Sequence, residues 1–167
     1  MQQIRTAVIT ISDSSYKGER EDKAGPLLLE LISPLCIVVK TLLLPDEREI
    51  IAQSLKEISD SDEVDLILTS GGTGLSPRDV TPEATLGVLE RLVPGIPEAM
   101  RSYGLQFTNR AMLSRAVAGT RKRTLIVNMP GSPAALKENT SQLLPVLEHA
   151  ISVLKGEVSA CARPHEH

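Results

Sequence analysis

Within fifteen residues this chain places three glycines, an arginine–aspartate pair and a helix start: Thr69-Ser70-Gly71-Gly72-Thr73-Gly74-Leu75-Ser76-Pro77-Arg78-Asp79-Val80-Thr81-Pro82-Glu83. Glycines let an anion approach the backbone closely, and the N–H groups they leave open suit phosphate oxygens. Thr81-Pro82-Glu83 reads as a helix N-terminus, with a capping hydroxyl, a proline at the first helical position and an acid in the first turn. The apolar run 64–68 just before the loop reads as a buried parallel strand. Strand, open loop, charged pair and helix start together describe a phosphate-handling site. It is not a Walker A loop, because Gly74 is followed by Leu75 and Ser76 where Lys-Ser/Thr is required. It is not the dinucleotide fingerprint either, since position 77 is a proline.

Carboxylates supply the second half of the chemistry. Asp13, Asp22, Asp46 and Asp79 each follow a segment that reads as a strand or its loop. Carboxylates beside a phosphate loop suit Mg²⁺, a hard cation that binds one or two of them together with substrate phosphates. No Ser-His-Asp or Cys-His pairing is evident, and His149 falls inside a C-terminal helix pattern. Phosphoryl or nucleotidyl transfer by positioning and charge neutralisation therefore fits better than a covalent mechanism. Each acid also has a plainer reading. Asp46 could cap a helix with Glu49 three residues on, Asp79 could merely pair with Arg78, and Asp13 and Asp22 could be loop charges.

The elements that must hold these groups alternate between strand and helix, which predicts an α/β fold: a mostly parallel sheet flanked by helices on both faces. Strands are expected at 7–11, 38–44 and 64–68, and helices at 24–32, from 46 onward with Ile50, Ile51, Leu55 and Ile58 at helical spacing, and at 82–92. Segments 116–119 and 124–128 flank Thr120-Arg121-Lys122-Arg123 and predict a small antiparallel hairpin with a basic tip. Ser132-Pro133 opens a long helical region reaching about Leu154, which Pro145 is expected to split or kink. The odd polar residues then fall in four loops at one edge, including Asn128-Met129-Pro130-Gly131. Ligands bind at that carboxyl edge in open α/β sheets.

The 167 residues fit one domain over 1–155 with a tail at 156–167. A net charge of −3 and 2% aromatics offer neither a basic footprint nor stacking platforms, so nucleic-acid binding is not expected. No run approaches the ~20 apolar residues of a membrane span and no leader pattern opens the chain, so a cytoplasmic protein without a membrane partner is expected. Cys36 sits in an apolar run and reads as a buried small hydrophobe. Cys161, His165 and His167 could in principle hold a metal, but a terminal tail is the simpler reading.

Gly71-Gly72-Thr73-Gly74 with Pro77-Arg78-Asp79-Val80-Thr81-Pro82-Glu83-Ala84-Thr85 closely resembles the molybdenum-cofactor biosynthesis family. Ile9-Thr10-Ile11-Ser12-Asp13, Ala111-Met112-Leu113-Ser114-Arg115 and Leu125-Ile126-Val127-Asn128-Met129-Pro130-Gly131 match further family stretches, so the resemblance spans about residues 4 to 155. It is nearest to the family's adenylyltransferases, including the plant adenylylating domain and the amino-terminal domain of gephyrin. Gly104 and Asn109 stand where relatives often carry Ser and Pro.

The resemblance implies a molybdopterin-binding fold, a homotrimer, and adenylyl transfer from Mg-ATP to the terminal phosphate of molybdopterin. Adenylylated molybdopterin and pyrophosphate would be the products, and a molybdate insertase the downstream partner. By the same resemblance Asp46 and Asp79 are catalytic, and Asp22 with Asp46 holds Mg²⁺. Gly71, Gly72, Thr73, Gly74, Asn128, Pro130 and Gly131 take the nucleotide side, and Ser114 and Arg115 the pterin side. The rival reading is a molybdopterin-binding or scaffold module of the same fold without adenylylation, which needs neither Asp46 nor Asp79.

Overall fold

The computed structural model describes residues 3–157, so Cys161, His165 and His167 lie outside the described residues. Six strands form one sheet: β1 (Ile4–Ile11), β2 (Cys36–Leu44), β3 (Leu66–Ser70), β4 (Arg91–Leu92), β5 (Ala118–Arg121) and β6 (Thr124–Met129). Their order is β2-β1-β3-β6-β5-β4. The first four run parallel, whereas β5 is antiparallel to both β6 and β4. The helices are α1 (Asp13–Tyr16), α2 (Ala24–Ile32), α3 (Arg48–Asp60), α4 (Thr81–Leu86), α5 (Gly95–Gly104) and α6 (Pro133–Lys155), with a 3₁₀ turn at Asn109–Leu113.

Strand side chains point alternately to opposite faces, and in β1, β3 and β6 both faces are buried. Val8, Leu66, Leu68, Val127 and Met129 pack against α2, α5 and α6. Ala7, Ile9, Ile67 and Ile126 point the other way, against Ile51, Leu55 and Ile58 of α3 and Ala84 of α4. Strands covered twice read as unbroken apolar runs, which is why β1, β3 and β6 stand out in the sequence. Cys36 is buried as a free thiol, and burial raises its pKa.

Several local expectations do not hold. Helix α3 starts at Arg48 with Glu47 at its N-cap and no side-chain cap, so Asp46 and Glu49 form no capping box. Thr81 is not a cap but the first residue of α4. The helix expected at 82–92 ends at Leu86, before Gly87, and Arg91–Leu92 becomes an edge strand on β5. Pro94 two residues later favours that extended backbone just ahead of it. Pro145 does not split α6, which is continuous over 23 residues. It sits on the exposed side, where water can satisfy the carbonyl that loses its partner. His149, on the same helix, is exposed.

The amino ends of the strands are tied by Asp65, whose side chain is 2% exposed and accepts from Arg5 Nη2 (2.8 Å), Lys155 Nζ (3.0 Å) and the Arg5 backbone N–H (3.0 Å). Burial alone would raise its pKa, but these bonds hold it below the usual carboxylate value. The stabilisation is therefore present above that value and is lost as pH falls through the lowered one. Asp65→Ala is expected to cost about 3 kcal/mol, because a buried N–H and two cations lose their acceptor. Urea unfolding at pH 7 measures this, and a cost within experimental error of zero would contradict it.

Candidate active site

The carboxyl ends of β1, β2, β3 and β6 carry the site. Ser12 caps α1 through its hydroxyl, which accepts the Ser15 N–H and turns the chain immediately after β1. Asp13 and Asp46, after neighbouring strands, make a reciprocal pair. The Asp13 N–H donates to the Asp46 carboxylate (2.8 Å), and the Asp46 N–H donates to that of Asp13 (3.0 Å). The chain thus holds two carboxylates close together by spending each on the other's backbone. Arg78 donates to Asp13 (2.9 Å) and to Glu47 (2.8 Å). It therefore does not pair with Asp79, whose carboxylate accepts the Ser76 N–H (2.9 Å).

These neighbours set opposite protonation tendencies. The Arg78 guanidinium holds the Asp13 carboxyl below its usual pKa. Burial, reinforced by the charges of Asp13 and Asp79, pushes Asp46 up. Asp22 stands apart from this pair. It accepts the Gly25 N–H (2.9 Å) at the start of α2 and borders a hollow over Thr10 and Thr41. No group of three or more His, Cys, Asp or Glu side chains among the described residues could hold a metal by itself.

The glycine loop runs between these acids and a cavity of about 550 Å³ lined by Thr73, Gly74, Met100, Ser114, Pro130 and Ser132, among others. Such a volume suits a small-molecule ligand. Gly71 and Gly72 have φ of +105° and +66°, a region that side chains disfavour. A Cβ on Gly71 would run into the backbone carbonyl of Ile11, and one on Gly72 into the Thr81 hydroxyl and, at 3.0 Å, the Asp46 carboxylate. Gly71 donates its N–H to Met129 O (3.2 Å), so it shapes the loop. The N–H groups of Gly72, Thr73 and Gly74 have no protein acceptor among the described residues and are open to an anion. Thr81 pins the loop from below: its hydroxyl donates to Gly71 O (3.0 Å) and its N–H to Gly72 O (3.2 Å).

Asn128 supports the loop from within the sheet. It is wholly buried and donates to Thr69 Oγ1 (3.0 Å) and Thr85 Oγ1 (2.9 Å), while accepting the Val117 N–H (3.2 Å). Its amide is spent inside the protein, so it positions Thr85 and α4 and presents no surface to a nucleotide. Pro130 borders the cavity, and Gly131 packs against Gly71. Ser114 also borders the cavity, whereas Arg115 turns its guanidinium toward the loop carbonyls.

Sequence reasoning missed α5 and the 3₁₀ turn, which build the far wall of the cavity. Pro94-Gly95-Ile96-Pro97-Glu98, followed by Met100, carried that signal: prolines and an acid in a first turn ahead of an apolar face.

A doubly covered parallel sheet with a phosphate-suited loop and acids at its carboxyl edge defines an α/β domain for a phosphorylated small ligand. The family model described as "Probable molybdopterin binding domain" matches residues 7–149, and the chain belongs to that family. The molybdopterin adenylyltransferase of Escherichia coli K12 is 43% identical over 141 residues, covering 83% of this chain and 72% of that protein. The molybdenum cofactor synthesis protein cinnamon of Drosophila melanogaster is 38% identical over 167 residues, but the chain spans only 28% of its length. The crystal structure of the molybdopterin biosynthesis enzyme MoaB of Thermus thermophilus aligns with a TM-score of 0.86 at 47% identity, covering 92% of this chain and 98% of that one. The expected fold class and family are thereby established.

Proposed function

We propose that this protein is a molybdopterin adenylyltransferase, moving AMP from Mg-ATP to the terminal phosphate of molybdopterin. A phosphate oxygen of molybdopterin forms the new bond to the α-phosphorus of ATP, the bond from that phosphorus to the bridging oxygen breaks, and pyrophosphate leaves. The observation that carries the reading is the placement of the glycine loop, with Asp46 and Asp79 on one side and the 550 Å³ cavity on the other. A nucleotide phosphate on the open N–H groups would meet an acceptor seated in the cavity.

Asp46 and Asp79 fit Mg²⁺ as the chemistry of their oxygens requires, for this ion takes one or two carboxylates with the phosphates of its nucleotide. The ion would neutralise charge on those phosphates; the chain's own part is to fix the two acids and exclude misalignment. Asp22, engaged at the start of α2, is a weaker ligand candidate. Gly72, Thr73 and Gly74 serve the nucleotide, with Pro130 and Gly131 closing against them, and Ser114 serves the pterin. Residues 1–155 act as one unit, in a homotrimer that delivers its product to a molybdate insertase in the cytoplasm. No helix among the described residues is long and apolar enough to cross a membrane.

Incubation with molybdopterin and Mg-ATP should yield adenylylated pterin and pyrophosphate in equal amounts, followed together by chromatography and a pyrophosphate assay. Pterin binding without product would favour the scaffold reading, and ATP cleavage without pterin would favour a hydrolase.

A further inference from the structure

We propose that Arg115 is the positioning residue for Asp79, acting as a clasp across both ends of the 74–79 loop; this rests on the adenylyl-transfer reading. Residues 75–78 are exposed, and Arg78 ties them by its side chain only to Asp13 and Glu47 at the rim, so the two ends of the loop need a further anchor to fix where Asp79 lies. Arg115 does so through four bonds from one residue. Its N–H donates to Thr73 O (2.9 Å), Nε to Gly74 O (2.7 Å), Nη2 to Asp79 O (2.6 Å) and Nη1 to the Glu83 carboxylate. The loop's first carbonyl, its last carbonyl and the first turn of α4 are thereby gripped by a single planar fork.

Asp79 then has its main chain held by Arg115 and its carboxylate held by the Ser76 N–H, within the same loop. Neither bond uses up the carboxylate's remaining lone pairs, so the acid is aimed and still available. Arg115 is absent from the cavity lining although Ser114 and Ala116 on either side belong to it, which separates it from a pterin-binding role. A lysine could not replace it, because one ammonium cannot match three acceptors spread across a rigid fork.

Arg115→Lys should lower the rate of adenylyl transfer about 10²-fold, the scale of a misplaced catalytic group, with little change in the affinity for molybdopterin. In an Asp79→Asn background the same substitution should cost less than about threefold, since groups that act as a unit are not additive. Losses that multiply in the double variant, or a large drop in molybdopterin affinity measured by titration, would overturn the proposal. Amide hydrogen exchange of residues 74–80, which needs no activity, should speed up in Arg115→Lys while exchange in β1 and β3 stays unchanged. An unchanged loop would also overturn it. If the wild-type protein forms no adenylylated product but the loop still loosens, the clasp stands and the reaction assignment fails.

Discussion

Gly71→Ala should destabilise the protein by about 3 kcal/mol and abolish its activity, the largest structural effect of any single methyl group at the site. The backbone there has φ +105°, and the added Cβ would be driven into the carbonyl oxygen of Ile11 at the carboxyl end of β1. Main chain cannot move aside as a side chain can, and Gly71 is also tied to Met129. Gly72→Ala makes the informative comparison. Its new Cβ meets the Thr81 hydroxyl and the Asp46 carboxylate, both able to shift, so stability should fall less. ATP binding should nevertheless weaken, because that shift disturbs the open N–H groups. Urea midpoints for the two variants test the ranking. Equal loss in both, or a Gly71→Ala protein as stable as the wild type, would refute the steric argument.

Asp46→Asn should separate chemistry from stability. Removing one preorganised charge at the phosphates is expected to slow transfer about 10²- to 10³-fold. Stability at neutral pH should move the other way. Burial and the neighbouring Asp13 and Asp79 charges raise the Asp46 pKa, so the protonated form is favoured by folding. Such a group contributes stability below its unfolded value and loses that contribution as pH rises through the folded value. The neutral carboxamide escapes that loss, while its oxygen can still accept the Asp13 N–H. Asp46→Asn should therefore melt higher than the wild type at pH 7, with the advantage gone below pH 3.8, the usual carboxylate value. A variant that is fast would remove Asp46 from the proposed mechanism, and one that is less stable at pH 7 would contradict the argument from burial and neighbouring charge.

Strands β1, β3 and β6 were legible because burial on both faces leaves no alternation to decode, although the run expected at 64–68 is a strand only from Leu66 and continues to Ser70. Helix α2 was legible from its spaced leucines, and the four loops at one edge followed from strand direction. What escaped was decided by partners distant in sequence. Asp46 has the composition of a cap, yet Asp13, 33 positions away, claims its carboxylate. Arg91–Leu92 extends a helical pattern, but pairing with Gly119 and Thr120 turns it into a strand. Asn128 and Arg115 stand in recognisable motifs, and only their hydrogen bonds reveal that one braces α4 and the other grips the loop. A motif identifies a residue as part of a site without saying whether it faces the ligand or the scaffold.

The reciprocal bonds between Asp13 and Asp46 also bear on how such a domain can change over evolutionary time. Each side chain is needed as an acceptor for the other's backbone, and a carboxamide oxygen meets that need as well as a carboxylate. If Asp46 carries the role proposed for it, a single base change from Asp to Asn at position 46 would slow the chemistry by orders of magnitude while leaving the architecture intact. Descendants of this chain that lose the reaction are not condemned to unfold. They remain as shaped, stable domains on which selection can act for assembly alone.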